Sequence, residues 1–150
     1  MGDLFGATNP LAWFWFALLS ALFAALTAIF SKKGVEEIPS NMATWVRVIV
    51  IFVVASVFVV AQGEWVNPGT MSRKALQYLA LSGVATGLSW LCYFKALKLG
   101  EASLVAPVDK LSVVLVMIFG TIFLGETKTP LQWAGGALIV AGVILVTRQG

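Results

Sequence analysis

The sequence has 150 residues, 59% of them hydrophobic and 11% charged, with a mean hydropathy of +0.93; that apolar content exceeds the soluble-domain range and points to a membrane protein. Its net charge of +3 comes from ten Lys and Arg scattered over loops and helices without forming a stripe, which excludes a nucleic-acid partner. With Cys92 as its one cysteine and no histidine, the chain cannot form an intramolecular disulfide, a Cys/His zinc site or a histidine-based catalytic triad.

A bilayer core of about 30 Å takes roughly 20 apolar residues of helix. The first segment of that kind covers residues 11–31. Asn9-Pro10 offers it an N-cap followed by proline at the first helical position. No basic segment precedes this run and no small-residue cleavage site follows it, so it reads as a retained span, not a signal peptide. Ser20, Ala24, Thr27 and Ser31 recur on one side of it and read as a close-packing face. The second span, 43–62, carries Arg47 near its start. The connection that follows is the longest, and leaves no room for a soluble domain.

The third span, 76–97, carries a polar stripe of Ser82, Thr86, Ser89 and Tyr93 beside a second stripe of Gly83, Gly87, Trp90 and Phe94. The two glycines permit close helix approach, and Trp90, Tyr93 and Phe94 make an aromatic wall suited to packing or to stacking on a ligand. Lys95 follows, and Gly100 is a plausible stop. The fourth span, 103–124, places Pro107 almost within its first turn, where the missing N–H matters little and a kink is the less favoured reading, and Asp109 and Lys110 just beyond. Gly125 ends it, with Glu126 at the interface. The fifth span, 131–147, starts at a Thr129–Gln132 capping box and presents Gly135, Gly136 and Gly142 as a smooth surface for helix contact. Trp13, Trp15, Trp65 and Trp133 lie near span ends, at headgroup level. The expected fold is an all-α integral membrane protein, one five-helix bundle over residues 1–150 with its termini on opposite sides.

We term the side on which the first span begins side A and the other side B. Alternation then brings Arg47, Lys95, Asp109 and Lys110 into the side-B third of the bilayer, with Arg47 and Asp109 on the order of 6 to 10 Å inside their span ends. Neighbours on a helix point about 100° apart, so Asp109 is expected to find its partner on another helix, with Arg47 the candidate. An isolated charge at membrane depth costs from about 2.5 kcal/mol upward and therefore pairs or lines a wet cavity. Two readings stay open: a structural Asp109–Arg47 pair with the lysines snorkelling to headgroups, or a polar chamber that holds part of a substrate. Three bases against one acid favour an anionic substrate group, and the candidate substrate-binding residues are Arg47, Trp90, Tyr93, Lys95, Asp109 and Lys110.

The stretch Y-F-K-A-L-K-L-G-E-A-S-L-V-A-P-V-D-K-L-S-V-V-L-V, followed by F-L-G-E-T-K-T and W-A-G-G-A-L-I-V-A-G-V-I-L-V and preceded by A-T-W-V-R-V-I-V-I, resembles the EamA domain of the drug/metabolite transporter superfamily. The resemblance covers nearly the whole chain. It implies a unit equivalent to half of a ten-span transporter, whose two domains, fused in opposite orientation, export amino acids or other metabolites through a central cavity. This chain resembles the single-domain, five-span bacterial and archaeal type. Lys/Arg counts at the loops and flanks are nearly balanced, with Arg73, Lys74 and Lys128 on side A against Lys32, Lys33, Lys98 and Arg148 on side B. Such a balance permits insertion both ways, and two opposed copies recreate the inverted repeat of many secondary transporters.

The expectation is thus a multi-pass protein of the cell inner (plasma) membrane that moves a small polar or amphipathic metabolite, amino-acid-like or carboxylate-bearing, as an antiparallel homodimer, with no cofactor and no metal. A small multidrug exporter would have four spans and an acidic residue in the first, which is absent here. An enzyme is disfavoured by the lack of histidine, of paired carboxylates at depth and of a base beside Cys92. A structural or regulatory membrane subunit is the alternative.

Overall fold

The computed structural model describes residues 11–148, which fold into α1 (Ala12–Glu37), α2 (Ser40–Ala61), a short 3₁₀ turn (Pro68–Thr70), α3 (Arg73–Leu99), α4 (Ala102–Asp109), α5 (Ser112–Leu124) and α6 (Pro130–Thr147). Five stretches are long and apolar enough to cross a bilayer, α4 and α5 together making the fourth. The chain is thus the expected all-α, five-span membrane protein, with no strand among the described residues. The Asn9-Pro10 start signal lies outside them.

Most helix ends follow from local chemistry. Thr129 accepts a hydrogen bond from Gln132 N–H at 3.3 Å while the Gln132 side chain accepts from Thr129 N–H at 2.8 Å, completing the expected capping box. Gly125 closes α5 with φ 67°, the left-handed conformation that glycine adopts without steric cost. Gly100 also ends its helix, but with extended backbone at φ −127°.

The first helix departs most from expectation, running on to Glu37 where the sequence suggested a stop at Ser31. Lys32 and Glu36 approach to 4.0 Å at i,i+4 spacing within the extension, and the break comes only at Ile38, whose extended backbone suits the residue before Pro39. The extra turns carry a reciprocal cap. Lys32 Nζ donates to the carbonyls of Leu97 at 2.9 Å and Gly100 at 3.0 Å, at the end of α3. Lys98 Nζ donates to the carbonyls of Val35, Glu36 (3.1 Å) and Ile38 (3.3 Å), at the end of α1. Each helix thereby places a cation on the orphan carbonyls of the other, where the macrodipole is negative.

The fourth span is broken. Pro107 is the sixth residue of α4, not part of its first turn, so its missing N–H leaves Ser103 C=O without its helical donor. Just beyond, the backbone tightens into i→i−3 bonds: Lys110 N–H to Pro107 C=O (3.1 Å), Leu111 N–H to Val108 C=O (3.0 Å), and Val113 N–H to Lys110 C=O (3.0 Å). The helix restarts at Ser112. Proline and a 3₁₀ step are a sufficient cause for the kink.

The third helix is central, packing against α1, α2 and α4, while α6 packs against α4 and α5. The buried cluster of Val35, Ala43, Phe94 and Leu97, with Ile38, Tyr93, Ala102 and Val105 against it, gathers where α1 and α3 end and α2 and α4 begin. That is the side-B end. Toward side A, α2 beyond Arg47 and α3 before Trp90 bury no residue. The expected close approach at Gly83 and Gly87 is not made within the chain, since a Cβ at either would meet nothing within 4 Å. Gly136 does serve that purpose, lying against the Met117 sulfur.

Candidate functional site

Arg47 lies seven residues into α2, about 10 Å along the helix, and is half-buried against α3. Its guanidinium carbon stands 4.5 Å from the centre of the Trp90 ring and 5.4 Å from that of Phe94. A planar, weakly hydrated guanidinium suits that stacked position, which leaves its in-plane N–H groups able to bind something else. The spacing of Trp90 and Phe94, one turn apart on α3, supplies both rings from one helix face. Tyr93 meets Phe94 edge-on at 6.4 Å and extends the aromatic wall.

The expected Asp109–Arg47 pair is not formed. Among the described residues no carboxylate lies within 4 Å of Arg47, and Asp109 pairs instead with Lys110, its chain neighbour, at 3.2 Å. Two residues on a regular helix would diverge, but these stand at the end of α4 and its C-cap, where the 3₁₀ step alters their relative direction and the long lysine stem closes the remaining gap.

These groups converge on a chamber of about 310 Å³ lined by Arg47, Ser89, Trp90, Tyr93, Asp109 and Lys110. Ala24 and Thr27 of α1 and Ser112 of α5 complete its wall. Five of the six candidate residues are therefore brought together. Lys95, the sixth, is exposed and lies outside the lining, because it falls on a different face of α3 from Trp90 and Tyr93. The α1 stripe also changes meaning: Thr27 lines the chamber, Ser20 and Ala24 line an adjoining cavity with Pro107 and Lys110, and Ser31 lines another beside Arg47. Small and hydroxyl side chains there make a cavity wall instead of a packing face. The sequence reading missed Ser112, whose only signal was its place two residues after Lys110.

Chemically, the chamber offers two cations against one carboxylate, four hydroxyl-bearing side chains in its lining (Thr27, Ser89, Tyr93 and Ser112), and a flat aromatic face. Lys110 is paired with Asp109, so Arg47 is the cation of the chamber without a carboxylate partner among the described residues.

Residues 11–148 match the model of the EamA-like transporter family. The chain is 53% identical over 135 residues to an uncharacterized transporter in the cobO 3′ region of Sinorhizobium sp, covering 90% of this chain and 96% of that one. It is 28% identical over 130 residues to the uncharacterized protein MJ1333.1 of Methanocaldococcus jannaschii, covering 87% and 92%. It is 32% identical over 141 residues to the uncharacterized transporter YvbV of Bacillus subtilis, covering 89% of this chain but 44% of that relative, which is thus more than twice the matched length. No solved structure matches. With five membrane-crossing helices and a match over almost its whole length, the chain belongs to the EamA-like transporter family.

Proposed function

We propose that the chain is a secondary transporter of the cell inner membrane that moves a small polar or amphipathic metabolite carrying an anionic group, by alternating access. One observation carries this reading: a guanidinium with no carboxylate partner, held over Trp90 and Phe94 in a polar chamber between membrane helices. A buried or half-buried cation at membrane depth is expensive to keep, and its open donors make it a receptor for a carboxylate or comparable anion. Asp109 and Lys110 sit at a helix interruption, where small backbone changes re-aim both, and there Asp109 serves to orient the bases or to exchange a proton.

The site is shared between two copies in opposite orientation. Support comes from the near balance of flanking Lys and Arg, three on side A against four on side B, from the side-A parts of α2 and α3, which bury no residue, and from relatives of double length such as the Bacillus subtilis transporter.

Two experiments test the reading. Small carboxylates screened by thermal shift against the purified protein are expected to stabilise the wild type, and Arg47→Ala to weaken the best of them about tenfold or more, with Asp109→Asn impairing flux in proteoliposomes at unchanged folding. Unimpaired binding and transport in both variants refutes the site. Reporter fusions at the C-terminus are expected to report both orientations in cells, and one exclusive orientation rules out the antiparallel pair.

A further inference from the structure

The charged chamber has an apolar neighbour. A groove of about 400 Å³ runs between the last turns of α3, the length of α4 and the end of α6, with Cys92, Ala96, Leu104, Val105, Val108 and Thr147 along it. Ser89, Tyr93 and Asp109 belong to both spaces and form the partition between them. On one side of that partition stand Arg47 and Lys110. On the other the lining is aliphatic, and Cys92 and Val108 are exposed on the outside of the bundle, which in a bilayer is the lipid-facing surface.

A polar metabolite uses only half of this arrangement. An anionic head at Arg47 places a hydrocarbon chain against the Ser89–Tyr93–Asp109 partition, beyond which the lining is aliphatic out to the bilayer. From the shared wall of these two spaces and the charge of the chamber we infer that the substrate is a single-chain anionic amphiphile, its carboxylate or phosphate head bound at Arg47 and its tail lying in the α3–α4–α6 groove, entered sideways from the membrane. The inference rests on the chamber's being the substrate site and specifies the substrate class.

Cys92 provides the test, because it is the only cysteine in the chain and it lines the groove. The full-length protein in vesicles of neutral phosphatidylcholine is labelled with N-ethylmaleimide in the presence of laurate, dodecyl phosphate, dodecanol, acetate or inorganic phosphate, while thermal stabilisation is followed in parallel. Laurate, dodecyl phosphate or both are expected to slow labelling about tenfold at concentrations where dodecanol, acetate and phosphate do not, and Arg47→Ala is expected to abolish the protection. The choice between the two long anions identifies the head. A second variant, Cys92→Phe, fills the groove and leaves the chamber intact, so laurate is expected to stabilise it no more than acetate does.

Equal protection by dodecanol overturns the inference, since the groove then takes any lipid chain. So does a Cys92 that is unreactive before any addition in vesicles and in concentrated detergent solution but reacts once the detergent-solubilised protein is diluted to monomer, which means that a second copy covers the groove. If acetate and laurate stabilise the protein alike in an Arg47-dependent way while Cys92 stays unprotected, the chamber stands as an anion site and the amphiphile falls. If no anion of either length acts through Arg47, the chamber reading itself falls.

Discussion

The two ends of this bundle are built differently. At side B, α1 and α3 end together, each capped by a lysine of the other, and Phe94 and Leu97 are 2% and 0% exposed. At side A, the same α3 presents Leu79 and Leu81 at 65% and 66% exposure, and its Gly83 and Gly87 face open space. In water the second end would be a failure of folding. In lipid it costs little, because hydrocarbon chains solvate leucine as well as another helix does, and association depends on packing and polar contacts. Order is therefore concentrated where the charges are, and the chamber sits at the boundary between the packed end and the open one.

That contrast can be broken most strongly at Phe94. Truncation by Phe94→Ala removes a buried ring that also carries Arg47, and is expected to cost about 3 kcal/mol, read as a lowered midpoint in denaturing-detergent titration of the reconstituted protein. Uncapping comes next. The pair Lys32→Met and Lys98→Met keeps the aliphatic stems and removes the cations from two helix C-termini, for an expected loss of about 1 to 2 kcal/mol together, with fraying of the ends of α1 and α3 visible as faster amide exchange. The smallest effect belongs to the open end, where Leu79→Ala is expected to change stability by less than about 0.5 kcal/mol; a larger loss would show that side A is packed against something in the bilayer.

Much of the architecture was legible in the sequence, because hydropathy over a window of about 20 residues reports directly on what can cross a bilayer. The Thr129 capping box and the Gly125 stop were legible for a similar reason: each is a local device whose chemistry lies within four residues. What escaped was non-local. Lys32 and Lys33 read as the exit of the first span, yet Lys32 reaches carbonyls 65 and 68 residues away, and no periodicity encodes that reach. The convergence of Arg47 with Asp109 and Lys110 followed from span alternation alone, but the pairing did not. Opposite charges at one depth suggested a salt bridge, whereas Arg47 took two rings and Asp109 took its neighbour. That outcome turned on the 3₁₀ step after Pro107, which no proline rule locates, because the break falls downstream of the proline itself.

The crossed lysine caps also bear on how the protein is made. The side chain that completes the last carbonyls of α1, Lys98, lies 62 and 60 residues downstream of Glu36 and Ile38 and enters the membrane only with the third helix. Lys32 waits equally long for the end of α3. Assembly of this half therefore has a built-in checkpoint: the first hairpin stays provisional until the third helix arrives in register, and both ends lock in the same event.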